Sequence, residues 1–143
     1  MTRKGKTVLA ERTDTFDVRT SQDVVRVRQE VRNRTAALGF SLVDQTKFVT
    51  AASEIARNTI DHGGGGKMHI SAITDIGKRG LRLVFEDQGP GIADIQRALQ
   101  DGYSTGGGLG MGLPGSKRLS NEFYVESAPG KGTKVTLVRW KTV

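Results

Sequence analysis

The sequence contains no cysteine, few aromatic residues and only two histidines. Without cysteine, the protein has no disulfide, no thiolate nucleophile and no cysteine-ligated zinc site. The two histidines, His62 and His69, lack the helical or paired spacing of metal ligands, so we expect any bound metal to be magnesium held by oxygen atoms. An aromatic content of 6% argues against stacking on single-stranded nucleic acid.

Long hydrophobic runs are also missing. No apolar segment approaches the ~20 residues of a membrane span, and residues 1–6 lack the apolar segment of a secretory signal. We therefore expect a cytoplasmic protein that does not bind membranes. A length of 143 residues with 36% hydrophobic content suits one globular domain over residues 1–143, in which residues 1–13 are expected to be flexible.

The chain is basic, with a formal net charge of +7. The lysines and arginines are spread along the sequence and form no stripe interleaved with aromatic residues, so we expect no nucleic-acid partner. Arg28 and Arg32 lie one turn apart on a predicted helix. They fit either a solvated surface or a docking surface for an acidic partner, and the sequence leaves both interpretations open.

Hydrophobic spacing predicts two helices in the first half of the chain. The apolar positions of the first helix, three and four residues apart, include Val24, Val27, Val31 and Leu38. Asp23 is its expected N-cap and Gly39 its expected end. A second helix is predicted from about Ser41 to Asp61, ending in the glycines 63–66. Both helices are expected to pack one face onto a core.

Strands are predicted on both sides of these helices. Residues 7–20 alternate loosely, and two further strands are expected at 67–76 and 80–87, joined by a turn at 77–80. A helix that includes Ile92, a glycine-rich segment, another helix from about Gly112 and two final strands follow. This order predicts an α+β two-layer sandwich, with a mixed, mostly antiparallel sheet and helices on one face.

Four polar side chains stand out by where they lie on the predicted helices and strands. Glu54 and Asn58 lie one turn apart and share a polar stripe of the second helix. Asp87 has the same strand parity as Leu83 and Phe85, so its carboxylate points where core residues point and needs a hydrogen-bond donor such as an exocyclic amine. Thr133 shares a side with the apolar residues of the last strand, on the side expected to reach Asp87.

Five glycines lie between residues 106 and 112, immediately before a predicted helix. Such a segment lets backbone N–H groups approach a triphosphate closely, and the helix end favours negative charge. Its other interpretation is an ordinary surface loop. The chain lacks the lysine-containing glycine motif of a P-loop, so phosphate binding by that device is excluded.

Three segments, in this order and spacing, resemble the N box and the two glycine boxes of the GHKL ATPase superfamily, which includes gyrase-type ATPases, sensor histidine kinases and anti-sigma serine kinases. They are Glu54-Ile-Ala-Arg-Asn58, Asp87-Gln-Gly-Pro-Gly91 and Gly108-Leu-Gly-Met-Gly112. A fourth segment, Gly132-Thr133, resembles the Gly-Thr that closes the nucleotide site in that superfamily. The resemblance implies the Bergerat fold.

The resemblance also implies a role for each matched residue. Glu54 would be the general base, Asn58 would hold Mg2+, and Asp87 would accept the adenine amine, supported by Thr133. The remaining residues implied to bind ATP are Gly89, Gly91, Ile92, Gly108, Gly110, Gly112 and Leu113. Arg57, inside the N-box match, fits either phosphate binding or a salt bridge. Ser104 and Thr105 fit either phosphate contact or an ordinary turn.

Within the superfamily, the segments Ser53 to Asn58, Asp87 to Asp94, Asp101 to Thr105 and Gly107 to Gly115 look like the RsbT-type switch kinases of bacterial stressosome modules. The match runs from about residue 14 to the end. It implies a serine/threonine kinase that phosphorylates a STAS-domain protein. After release, the kinase would bind a downstream regulator such as a phosphatase or a cyclase.

Two alternative functions fit the same motifs. One is an anti-sigma factor kinase that sequesters a sigma factor, and the other is an ATP-sensing binding module without turnover. A catalytic Glu54 would count against the second. The segment from Asp101 to Gly108 is short and contains no Lys or Arg, so charge stabilisation must come from magnesium, from backbone groups or from a residue outside it.

Overall fold

The computed structural model describes residues 2–3, 6–100 and 112–141. Two short strands, β1 (Thr2–Arg3) and β2 (Lys6–Thr7), pair with each other. The main sheet has five strands: β3 (Leu9–Val18), β4 (Gly66–Asp75), β5 (Lys78–Asp87), β6 (Glu122–Ser127) and β7 (Thr133–Trp140). Their order is β3-β4-β5-β7-β6, and every pairing in this sheet is antiparallel.

Four helices are described: α1 (Ser21–Ala37), α2 (Leu42–Asp61), α3 (Ile95–Ala98) and α4 (Gly112–Arg118). The predicted bounds of α2 are confirmed, and α1 ends just before Gly39 as predicted. The predicted cap of α1 is wrong, because Thr20 is the N-cap and Asp23 lies at the third helical position. The Thr20 side chain accepts from the Asp23 N–H while the Asp23 carboxylate accepts from the Thr20 N–H, which is a capping box.

Two other boundaries differ from the sequence prediction. The β4–β5 hairpin turns at Ile76 and Gly77, so β5 begins at Lys78, two residues earlier than expected. The longer strand extends the ladder because Lys78 and Arg79 pair with the end of β4. Ile92 precedes α3 and is not helical, although its side chain still packs against the core.

The helices cover one face of the sheet, so the predicted two-layer α+β architecture is confirmed. The large buried side chains between the layers include Phe48 and Ile55 from α2 and Met68, Leu83, Phe85 and Leu137 from the sheet. A smaller apolar cluster comprises Val8, Ile73, Val138 and Trp140. None of the described helices is long and apolar enough to cross a lipid bilayer.

A buried ion pair joins the start of α2 to the last strand. Arg139 Nη2 donates to Asp44 Oδ1 at 2.8 Å, and Arg139 Nη1 donates to the Leu119 carbonyl after α4 at 2.9 Å. Both charged side chains are almost enclosed, with exposed fractions of 12% and 13%. A single arginine therefore ties together α2, β7 and the end of α4, the elements that surround the candidate site.

Candidate functional site

A cavity of about 340 Å³ opens between α2, the ends of β5 and β7, the segment before α3 and the start of α4. Its described lining residues are Ile55, Asn58, Thr59, His62, Gly63, Phe85, Asp87, Pro90, Gly91, Ile92, Ala93, Asp94, Arg97, Ala98, Gly112, Leu113, Thr133 and Val135. The inner wall is apolar because α2 and the strands present core side chains there. Polar groups from separate segments converge on that wall.

Asp87 lies at the end of β5, on the helix-facing side that its parity predicted. The Gly89 N–H donates to Asp87 Oδ1 at 2.9 Å, which fixes the orientation of the carboxylate. Gly63, at the end of α2, lies so close that a Cβ there would clash with the Asp87 carboxyl group. The end of α2 therefore packs directly against the acid at the inner end of the cavity.

Close packing inside the protein explains why Gly89 and Gly91, both predicted to bind ATP, are glycines. A Cβ at Gly89 would lie 2.7 Å from the Gly63 Cα, and Gly91 has a φ of +79° and would clash with the Ala128 carbonyl. Neither position tolerates a side chain without a shift of the backbone. Gly91 lines the cavity, whereas Gly89 is not part of the described lining and contacts Asp87 through its N–H.

Asn58 contributes a side-chain oxygen that is buried and unpaired. Asn58 Oδ1 has no hydrogen-bond partner among the described residues. A buried amide oxygen without a partner is costly, and a neutral oxygen is a suitable ligand for a hard cation. The position therefore fits Mg2+, which characteristically takes one or two protein ligands and completes its shell with phosphate and water oxygens.

Glu54 lies one turn before Asn58 on α2, about 6 Å along the helix axis. It is half-buried, is not among the residues lining the cavity, and makes no hydrogen bond or ion pair to another described residue. α4 packs against the preceding turn of α2, because Ser116 Oγ donates to the Ala51 carbonyl at 3.3 Å. The geometry brings Glu54 near the cavity without placing it in the wall.

The second glycine box is described only at its end. Gly112 and Leu113, at the start of α4, line the cavity. Gly108 and Gly110 lie outside the described residues, as do Ser104 and Thr105. The segment that the sequence predicts to hold phosphate therefore leads directly into the cavity at its described end.

Four polar residues of the lining received no site role in the sequence analysis: Thr59, His62, Asp94 and Arg97. Asp94 caps α3 by accepting from the Arg97 N–H at 3.0 Å, and both residues face the cavity. Arg97 is the only lysine or arginine among the described lining residues. His62, the C-cap of α2, also belongs to the lining. Asp94 ends one of the matched segments, whereas the other residues lie outside the motifs. Thr59 and His62 reach the cavity from the end of α2, and Asp94 and Arg97 reach it from the segment after Gly91.

Residues that the sequence left undecided lie elsewhere. Arg57 is exposed and does not line the cavity. His69 lies between Thr15 and Glu86, with its Nδ1 2.8 Å from Thr15 Oγ1 and its Nε2 2.6 Å from Glu86 Oε1. These contacts give His69 a structural partner on each side.

The chain matches, over residues 43–142, the family described as histidine kinase-, DNA gyrase B-, and HSP90-like ATPase. Among curated proteins, it is 48% identical to the serine/threonine-protein kinase RsbT of Bacillus subtilis over 123 residues, which are 86% of this chain and 92% of that protein. It is also 32% identical to the anti-sigma F factor of Thermoanaerobacter sp. strain X514 over 124 residues, 84% of this chain and 87% of that protein.

A solved structure shares the fold. The crystal structure of the RsbU and RsbW domains of Rv1364c from Mycobacterium tuberculosis superposes with a TM-score of 0.62 at 20% sequence identity. The similarity covers 93% of this chain and 34% of that longer chain.

Proposed function

Because the chain belongs to the family of histidine kinase-, DNA gyrase B- and HSP90-like ATPases, we propose that it is a serine/threonine protein kinase that uses ATP to phosphorylate a STAS-domain protein. The observation that carries this proposal is one cavity that combines a base-sized apolar wall, the Asp87 carboxylate and the unpaired oxygen of Asn58. The 48% identity to a protein named as a serine/threonine kinase supports the same activity.

The inner end of the cavity suits a purine base. Ile55, Phe85 and Val135 offer apolar contact, and Asp87 offers an acceptor to an exocyclic amine. Burial of a carboxylate is favourable only when donors satisfy it, and the described structure supplies one donor, the Gly89 N–H. An adenine amine would supply the second.

The outer end suits a polyphosphate. Asn58 would hold Mg2+, which when bound neutralises phosphate charge and orients the terminal phosphoryl group. Arg97, also in the lining, would contribute positive charge, and the residues leading into Gly112 would contribute backbone N–H groups. The glycine-rich segment contains no Lys or Arg, so positive charge for the phosphates must come from outside it. Arg97 lies outside that segment and would supply this charge.

Glu54 would act as general base. The acceptor hydroxyl loses its proton to the Glu54 carboxylate while its oxygen forms a bond to the γ-phosphorus and the bond from that phosphorus to the bridging oxygen breaks, releasing ADP. Because Glu54 is next to the cavity and not in its wall, the hydroxyl would approach between Glu54 and the terminal phosphate. This arrangement leaves the nucleotide contacts independent of Glu54.

The proposal includes a partner switch. Phosphorylation of the STAS-domain protein would release the kinase, which would then bind a downstream regulator such as a phosphatase or a cyclase. The similarity to RsbT and to anti-sigma F factors supports a signalling role of this kind. A cytoplasmic location belongs to the same proposal, since the ATP consumed is a cytoplasmic metabolite.

An anti-sigma factor kinase is the second candidate, favoured by the 32% identity to anti-sigma F factors. Such a protein would use the same cavity but also bind a sigma factor. Stable co-purification with a sigma factor would favour this candidate. An ATP-binding module without turnover is the third, and tight ATP binding without phosphate transfer would favour it.

The direct test incubates the protein and its Glu54→Ala variant with γ-labelled Mg·ATP and a STAS-domain protein encoded beside it. We expect the wild-type kinase to label the STAS-domain protein and Glu54→Ala to transfer phosphate about 100-fold or more slowly. The variant should bind ATP with the affinity of the wild type. Arg57→Ala, an exposed substitution one turn further along α2, is the matched control and should retain transfer. ATP binding without transfer by the wild type would overturn the kinase proposal.

A further inference from the structure

Ser127, which belongs to none of the sequence motifs and is not part of the cavity lining, makes three hydrogen bonds next to Thr133. Its Oγ lies 2.7 Å from the Ile92 N, 2.7 Å from the Gly132 carbonyl oxygen and 2.9 Å from Thr133 Oγ1. In the strand register Ser127 pairs with Thr133, and Thr133 pairs with Asp87. The three side chains therefore form a row across β6, β7 and β5.

The proton positions in this row follow from the chemistry of the partners. A serine hydroxyl has one hydrogen to donate and two lone pairs that accept. The Gly132 carbonyl can only accept, so it takes the Ser127 hydrogen, and the Ile92 N–H can only donate, so it takes one lone pair. Thr133 must then donate its own hydrogen to the remaining lone pair of Ser127.

These proton positions determine which hydrogen bonds the cavity can offer, because Thr133 is part of its lining. With its hydrogen committed to Ser127, the Thr133 hydroxyl can only accept a hydrogen bond from a ligand or water. The neighbouring Asp87 carboxylate is also an acceptor. Asp87 and Thr133 thus both present lone pairs to the cavity, and as cross-strand neighbours their Cβ atoms lie about 5 Å apart.

We propose that Ser127 is a positioning residue that orients the Thr133 hydroxyl and thereby selects a purine carrying a 6-amino group over one carrying a 6-oxo group. The inference rests on the nucleotide binding proposed above and deepens it. An amino group donates to the two acceptors, whereas an oxo group places a third acceptor against the half-buried Asp87 and Thr133 and supplies them no donor at the 6-position. Without Ser127, the Thr133 hydroxyl rotates freely and can donate to the oxo group.

The test measures binding of Mg·ATP and Mg·ITP by calorimetry, because these nucleotides differ only at the 6-position and the adjacent ring nitrogen. The proteins compared are the wild type, Ser127→Ala, Thr133→Val and the double variant. We expect ITP to bind the wild type at least about tenfold more weakly than ATP, and Ser127→Ala to narrow this ratio about threefold or more. Ser127→Thr, which retains the hydroxyl, should restore the ratio.

The double variant separates positioning from general support of the fold. If Ser127 acts through Thr133, adding Ser127→Ala to Thr133→Val changes the ATP-to-ITP ratio no further. Ser71→Ala is the matched control, because Ser71 Oγ lies 2.7 Å from Thr13 Oγ1 in a serine–threonine pair away from the cavity lining. Ser71→Ala should leave the ratio unchanged.

Two results would overturn the inference. An ATP-to-ITP ratio unchanged by Ser127→Ala would show no effect on selection, and if both affinities fell equally, Ser127 would only support the segment at Ile92. An additive double variant would show that Ser127 does not act through Thr133. A wild-type protein that binds neither nucleotide would instead overturn the proposed function itself.

Discussion

At the scale of single residues, the cavity combines hydrogen-bond acceptors with a cation. Asp87 and the acceptor-only Thr133 present lone pairs, whereas Arg97, which follows the Asp94 carboxylate, is the only Lys or Arg in the described lining. This set suits a ligand that carries both a hydrogen-bond donor and negative charge. Arg97 is largely exposed, so its contribution is subject to screening by salt.

Arg97→Gln is therefore expected to weaken binding in proportion to phosphate charge. Removal of one charge-assisted hydrogen bond to phosphate should lower the affinity for ATP about tenfold and leave the affinity for adenosine unchanged. Calorimetric titration with ATP, ADP, AMP and adenosine measures this trend, and Arg97→Lys should retain part of the ATP affinity. Equal losses for adenosine and ATP would show that Arg97 merely supports the wall of the cavity.

At the scale of elements, α2 makes a stabilising ion pair at its start and contributes residues to the candidate site at its end. Asp44 in the first turn holds Arg139 of β7, while Asn58 and His62 in the last turns face the cavity, about 21 Å further along the axis from Asp44 to Asn58. Because a packed helix is nearly rigid, the ion pair at one end helps to set the position of Asn58 at the other. The same arginine also holds the end of α4.

Asp44→Ala should destabilise the protein by about 3 kcal/mol, because it leaves the Arg139 guanidinium enclosed without its carboxylate. Urea unfolding followed by circular dichroism measures the change in the free energy of unfolding. Lys67→Ala is the control, since it removes the solvent-exposed pair with Asp17 and should hardly move the midpoint. A midpoint for Asp44→Ala that matches the control would show that the buried pair contributes nothing.

At the scale of the whole molecule, ion pairs connect the edge of the sheet to the helical layer. Asp14 on β3 lies 2.9 Å from Arg34 Nη2 on α1 and is also bonded by Arg12. These two guanidinium groups, Arg12 and then Arg34, hold the pKa of Asp14 below its usual value of 3.8. Lys67 likewise lowers the pKa of Asp17 on the same edge strand.

These depressed pKa values set the direction of the acid response. A carboxylate whose pKa is lower in the folded state contributes stability that is present above the unfolded value of 3.8 and is lost as the pH falls through the lower folded value. Asp14→Asn should therefore be less stable than the wild type at neutral pH, and the difference should vanish as the pH falls well below 3.8. Thermal unfolding of both proteins across this range measures it. A difference that grows on acidification would contradict the assignment.

Much of the fold could be predicted from the sequence, because it is encoded by local periodicity. Val24, Val27 and Val31 predicted the buried face of α1, and strand parity predicted that Asp87 faces the helices. The N-cap of α1 was assigned to the wrong residue because Thr20 and Asp23 are both good capping residues, and a capping box uses both. Ile92 was predicted to be helical because it lies three positions before Ile95. A spacing this short fits a packed turn as well as a helix, and α3 begins only at Ile95.

By itself, the sequence determined the order of elements, the core faces and the motif residues that the structure gathers in one cavity, including Asn58, Asp87 and Thr133. Only the tertiary structure decided that Glu54 lies outside the cavity wall, that Arg97 lies in it, and that Ser127 orients Thr133. The physical reason is the separation along the sequence of the residues that interact. Periodicity and caps act between residues a few positions apart, whereas these contacts join segments brought together when the helices pack on the sheet and β6 pairs with β7.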